Sequence, residues 1–176
     1  MPDIVTSIEH LADLDLYKVE KPYNVVLSPD QWDASLPPRS NLKFERKDNI
    51  IVTDIRDQID NYTLDTAGFN IANHTSNIPR LETKDDLLGY QNETEAFLTK
   101  WFEAERVVCW DVKLRENRTT LPSVFDMADW TIPQLPAQGA HNDVTFGSGP
   151  TQIVRHLPDE LKPKYLAGGY RFRIVK

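Results

Sequence analysis

Gly139-Ala140-His141-Asn142-Asp143-Val144-Thr145-Phe146-Gly147-Ser148-Gly149-Pro150 is the stretch on which the reading of this chain turns. It sets an imidazole and a carboxylate two residues apart. On an extended strand, positions i and i+2 project to the same face. The spacing therefore lets His141 and Asp143 point into one pocket and share one divalent metal ion, the first two arms of a 2-His-1-carboxylate facial triad. Small residues precede the pair, and Gly147, Gly149 and Pro150 break the strand after it. That layout places the pair near a strand end, where barrel-like sheets open their mouths. His156 is the downstream candidate for a third ligand, although its neighbour Arg155 and its helical-looking surroundings suit a solvated helix end.

Outward from this stretch, Thr151 to His156 reads as a short helix and Asp159 to Leu166 as another, introduced by Pro158. Gly168-Gly169 turns the chain. Tyr170, Phe172 and Ile174 then alternate with Arg171, Arg173 and Val175, which predicts a final strand. Upstream, Val108, Trp110, Val112 and Leu114 alternate with Val107, Cys109, Asp111 and Lys113, predicting a strand over 106–115. Its half-polar face suits either a ligand cavity or water. Residues 116–138 form a polar, Pro-containing loop around Trp130, long enough for a flap beside a site.

Residues 82–105 are the clearest helical region. Asn92 followed by Glu95 resembles a capping box, and Ala96, Phe97, Trp101 and Phe102 recur at helical spacing as a core-packing aromatic face. Glu93, Glu95, Glu103 and Glu105 are then expected on the solvated side. Before this helix, Asn49 to Arg56 carries a β-branched run that reads as a buried strand. It ends in Asp54, Arg56 and Asp57, either a substrate or cosubstrate contact or, the favoured reading, a local ion pair that fixes a turn. Gly68 marks a turn or helix cap before Phe69 enters another strand. Residues 1–20 read as an N-terminal arm, Tyr23 to Leu27 as a short strand, and Gln31 to Leu42, with Trp32, Pro37 and Pro38, as an extended surface segment.

With 176 residues, 40% hydrophobic and 27% charged, the chain has the composition of an ordinary globular protein. A net charge of −7 argues against a nucleic-acid surface. No apolar run is long enough to span a bilayer and no signal peptide is visible, so no membrane partner and a cytoplasmic location are expected. Cys109 is the only cysteine, which leaves no intrachain disulfide and no thiolate cluster. Four Asn-x-Thr sequons, at Asn61, Asn73, Asn92 and Asn117, are read as chance matches in such a protein.

The order of motifs resembles the fungal hydroxylase/desaturase family of secondary metabolism that includes gibberellin-desaturase-like and cephamycin-methoxylation-type proteins. The resemblance is carried by Asp54-Ile55-Arg56-Asp57, Leu64-Asp65-Thr66-Ala67-Gly68-Phe69, Glu93-Thr94-Glu95, Ala104-Glu105-Arg106-Val107-Val108, His141-Asn142-Asp143-Val144-Thr145 and His156-Leu157-Pro158-Asp159-Glu160. It covers about residues 22–176. It implies an α+β, mainly β fold with a double-stranded β-helix (jelly-roll, cupin-like) core and flanking helices, over one oxygenase-like domain at 21–176. It also implies non-haem Fe(II) chemistry with 2-oxoglutarate as cosubstrate, and hydroxylation or desaturation of a small organic molecule. His141 and Asp143 would be the first two iron ligands, with Thr145 hydrogen-bonding near the Asp143 carboxylate.

Family members continue further. Their distal histidine and the arginine that anchors the oxoacid are expected after the strand that ends here at Lys176, so the sheet is expected to be incomplete at its C-terminal side. Arg171 and Arg173 could contact a carboxylate, as could Arg56, but they do not match that arginine. Two other readings stand beside the oxygenase: an inactive remnant that binds a small molecule or a partner, and a small cupin-like metal protein using His141, Asp143 and His156. Neither the substrate nor the oligomeric state is legible.

Overall fold

The structure is a computed structural model that describes residues 2–25, 33, 35–119, 129–137 and 139–176. The chain divides into two compact units, Met1–Ile71 with Gln138–His141, and Ala72–Ala137 with Asn142–Lys176.

The first unit is built on one antiparallel pair. β1 (Ile4–Leu11) and β2 (Phe44–Val52) run from Ile4 opposite Val52 to Leu11 opposite Phe44. The register shifts between Thr6 and Ile8, where Asn49 takes a left-handed φ of 61°. That is the geometry of a bulge, with asparagine supplying the positive φ that most side chains resist. The expected N-terminal arm thus contains a strand. Its partner lies some forty residues downstream, and no local pattern reveals such a partner. The strand expected from Asn49 starts earlier, stops at Val52 and is not buried as expected, with Ile51 64% and Val52 47% exposed, and Arg56–Asn61 winds into a 3-10 turn instead.

Thr63 caps α1 (Leu64–Ala67) by exchanging hydrogen bonds with Thr66, and Gly68, at φ 76°, closes it as expected. Phe69 enters no ladder; its ring stacks on Tyr62 at 5.4 Å. Asn24 makes one bridge with Ser40 and the Val25 N–H donates to the Arg39 carbonyl at 2.8 Å, while Val26 and Leu27 of the expected strand and Gln31, Trp32 and Ala34 of the expected extended segment lie outside the described residues.

The second unit is organised on α2 (Lys84–Trp101). The helix falls where periodicity predicts it, but its capping box is Thr83 with Asp86, not Asn92 with Glu95. Thr83 is the position at which the backbone is still extended, so its hydroxyl can accept from the Asp86 N–H. Asn92 lies inside the helix, where N–H groups already have partners. The C-terminus closes through left-handed Glu103 (φ 48°), with the Ala104 N–H donating to the Thr99 carbonyl at 2.9 Å.

Among the described residues, Leu87 of α2 and Tyr165 are the buried hydrophobic side chains. Phe97 and Trp101 pack ring to ring at 5.7 Å, but Trp101 is 43% exposed and Ala96 is exposed, so the expected core-packing face is covered only in part. The solvated glutamate face is corrected in part: Glu93 and Glu95 turn inward and accept backbone N–H groups from the segments flanking the helix.

The strands expected over 106–115 and from Tyr170 are also absent as ladders among the described residues. Residues 106–115 have no strand pairing beyond one bridge, Arg115 to Gln134, although Val112 and Leu114 are half-buried and Asp111 and Lys113 exposed. Residues 170–175 likewise carry no ladder among the described residues. Alternation records which face of an extended chain is covered, not whether a neighbouring strand supplies hydrogen bonds. The helices α3 (Gly149–His156) and α4 (Lys162–Tyr165) do form, each with proline in its first turn. Of the loop at 116–138, residues 120–128 and 138 lie outside the described residues.

Candidate functional site

His141 belongs to the first unit and Asp143 to the second. Neither lies in a strand, so the argument that alternation aligns them on one face does not apply to the local backbone. Ala140 donates its N–H to the Glu9 carbonyl at 2.7 Å, which fixes the approach to His141 on β1. Gly139 takes a left-handed φ of 75°, and a Cβ there would sit 3.3 Å from the Phe44 ring. Glycine at 139 is what lets the chain pass this close.

The His141 Nδ1 lies 3.0 Å from the Gly139 carbonyl oxygen. When Nδ1 carries the proton it donates to that carbonyl, which orients the ring. The Asp143 carboxylate is exposed and accepts a hydrogen bond from Lys176 Nζ in an exposed ion pair. Thr145 exchanges hydrogen bonds with Ser148: its N–H donates to Ser148 Oγ at 3.0 Å, and the Ser148 N–H donates to Thr145 Oγ1 at 3.1 Å. Its hydroxyl thereby shapes the turn that leads into α3.

The remaining sequence-predicted residues are dispersed. His156 ends α3 with its ring stacked on Trp110, centroids 5.1 Å apart and 13° from parallel. Arg56 pairs through Nε with Asp54 Oδ1 at 3.0 Å, and its N–H donates to the same oxygen at 3.1 Å. That is the turn-fixing ion pair. Arg173 places its guanidinium 5.4 Å from the centre of the Phe102 ring, and Arg171 is exposed.

An iron site of the expected kind needs three protein donors that converge. No three His, Cys, Asp or Glu among the described residues do so. The described donor set therefore does not fit a complete facial triad, and no chemical step is derived through a metal here.

Sequence reasoning missed three local constellations of the second unit. Glu93 accepts from Ser76 Oγ at 2.5 Å, from the Asn77 N–H at 2.8 Å and from Asn77 Nδ2 at 2.9 Å, with His74 Nε2 at 3.6 Å. The Ser76 hydroxyl first and the Asn77 N–H second hold its carboxyl below the usual glutamate range. Four residues apart on α2, Gln91 and Glu95 grip one peptide: Gln91 Nε2 donates to the Cys109 carbonyl, and the Cys109 N–H donates to Glu95 Oε1 at 2.8 Å. Burial pushes the Cys109 thiol up. Lys164 donates to Glu105 and lies over the rings of Tyr165 and Tyr170, and the Glu105 hydrogen bond raises its pKa. Only the Gln91/Glu95 pair leaves a sequence signal, its helical i, i+4 spacing, and that spacing names no partner.

Comparison with known families makes this an oxidoreductase-like domain. The match is to the Oxidoreductase/YMDC permease-like domain, spans residues 11–176 and therefore takes in His141, Asp143 and His156; the chain belongs to that family. No curated protein and no solved structure matches it. Among the described residues no helix is long and apolar enough to cross a membrane.

Proposed function

We propose that this oxidoreductase-like domain acts on a small organic molecule of secondary metabolism, by hydroxylation or desaturation, in the cytoplasm. The proposal keeps the fungal hydroxylase/desaturase resemblance, with non-haem Fe(II) and 2-oxoglutarate as the groups that supply the oxidation. His141 and Asp143 are the two ligands this chain would contribute, and β1 and β2 would belong to a jelly-roll core. The observation that carries the reading is the His141 side chain, whose ring is oriented through Nδ1, 3.0 Å from the Gly139 carbonyl oxygen, as the rings of metal-binding histidines are. The oxidoreductase family assignment supports the same class of chemistry.

Lys176 neutralises Asp143 through an exposed ion pair, an interaction weak enough for a dication to displace. Anaerobic addition of Fe(II) and 2-oxoglutarate to the chain should give a visible metal-to-ligand charge-transfer band. His141→Ala and Asp143→Ala should each abolish it, while His156→Ala, removing a ring already stacked on Trp110, should leave it intact. A wild-type chain that shows no band would refute the iron reading.

A second reading is favoured by the absence of three converging donors among the described residues: a non-catalytic domain that binds a small molecule or a partner. It predicts ligand binding without turnover under any iron condition. Loss of the band in His156→Ala would instead support a cupin-like metal site.

A further inference from the structure

We propose that two copies of this chain associate through one face of the β1–β2 ladder, related by a two-fold axis that runs along the strands. In an antiparallel ladder, directly paired residues share a face, and every second residue of a strand returns to it. The register therefore puts three cross-strand pairs on one face: Val5 with Ile51, Glu9 with Arg46, and Leu11 with Phe44. All six side chains are exposed, the four apolar ones from 37% at Leu11 to 66% at Val5. Gly139 passes beside the Phe44 ring and still leaves it exposed. The half-buried Ile8, His10 and Ile50 belong to the opposite face.

A two-stranded ladder with an uncovered apolar face is marginally stable in water. The order of the pairs indicates what covers it: an apolar pair, a charged pair and an apolar pair, with the two members of each on different strands. A two-fold axis parallel to the strands lays β1 of one copy over β2 of the other. Val5 then meets Ile51 of the second copy, Leu11 meets Phe44 and Glu9 meets Arg46, and each contact is made twice. An axis in the sheet plane but perpendicular to the strands would instead set Glu9 over Glu9 and Arg46 over Arg46, like charges in a closing interface.

Both charged groups have capacity left for this contact. The Glu9 carboxylate has no ion-pair partner among the described residues. Arg46 gives only its Nε to Asp48, at 3.3 Å, which leaves two guanidinium nitrogens for Glu9 of the other copy. At about 3.3 Å per residue and about 4.8 Å per strand, the face is about 26 Å long and about 10 Å wide. That is small for a permanent dimer, so the association is weak and reversible, in the micromolar range.

The test is sedimentation velocity of the full chain over concentrations that bracket the micromolar range. The wild-type chain should shift from its 20.2 kDa monomer to a species of twice that mass. Glu9→Lys and Arg46→Glu each set like charges against one another at both contacts and should weaken the dimer by at least about tenfold. An equimolar mixture of the two variants should recover the wild-type association, because every contact in the mixed dimer again joins opposite charges. Mixing cannot repair the Glu9–Arg46 pairing within one copy, so rescue reports a contact between copies. Ile51→Glu should dissociate the dimer and find no rescue in either variant. Far-UV circular dichroism checks that each variant is folded. A wild-type chain that stays monomeric, a dimer that neither charge change weakens, or weakened variants that mixing does not restore overturns the proposal. None of the six residues belongs to the candidate iron site, so this readout is independent of the oxidation assay.

Discussion

Leu87→Ala and Leu88→Ala are adjacent substitutions of identical chemistry on α2, and the structure assigns them different costs. Leu87 is 1% exposed and Leu88 is 37% exposed. Truncating a fully buried leucine loses its transfer free energy and leaves a cavity, together about 3 kcal/mol. At Leu88 only part of the transfer contribution is lost and the space opens to water, so the cost is about 1 kcal/mol. Both changes alter helix propensity equally, so that contribution cancels in the comparison. The difference of about 2 kcal/mol corresponds to roughly 1 M in urea midpoint at a slope near 2 kcal/mol per molar. Tryptophan fluorescence suits the measurement, because Trp101, Trp110 and Trp130 all lie in the second unit with α2. Equal midpoints for the two variants would refute the placement of Leu87 at the centre of that unit.

Three other outcomes follow from local geometry. Gly139→Ala should destabilise the first unit more than Gly68→Ala in urea unfolding, by about 1 kcal/mol or more. Both positions have positive φ, but only at 139 would the new Cβ meet a ring, at 3.3 Å. Thr83→Ala should cost about 1 kcal/mol of helix stability by circular dichroism. The carboxyls of Asp86 and Glu93 are held low, by Thr83 and by Ser76 respectively, so their contribution is present above their ordinary pKa values. It should be lost as pH falls below about 4, and Thr83→Ala should flatten that acid limb. Cys109, its thiol raised by burial, should alkylate more slowly at neutral pH than a free cysteine, and Gln91→Ala should speed the reaction measured by mass spectrometry.

The elements that read correctly from sequence are those whose cause is local. α2 follows from helical periodicity and Gly68 from its left-handed cap, while α3, expected from Thr151, begins two residues earlier with Pro150, read as a strand breaker, in its first turn. The capping box was misplaced because Asn92-x-x-Glu95 and Thr83-x-x-Asp86 satisfy similar spacing rules, and only the extended backbone at Thr83 separates them. β1 was missed because Ile4, Val5 and Thr6 acquire their strand identity from Val52, Ile51 and Ile50, far along the chain. At the candidate site, the motif His141-x-Asp143 is a property of the sequence, whereas the alignment of its side chains depends on a strand that residues 139–143 do not form.

The Gln91 and Glu95 grip has a consequence for how this domain can change over time. What α2 holds at position 109 is the peptide group, through its N–H and its carbonyl, so the side chain there is not part of the grip. Substitution at Cys109 by a small residue that keeps its N–H should therefore leave the grip in place, whereas proline should break it. Gln91 and Glu95 form the constrained pair. The segment they anchor can vary its exposed side chains without losing its attachment to the helix.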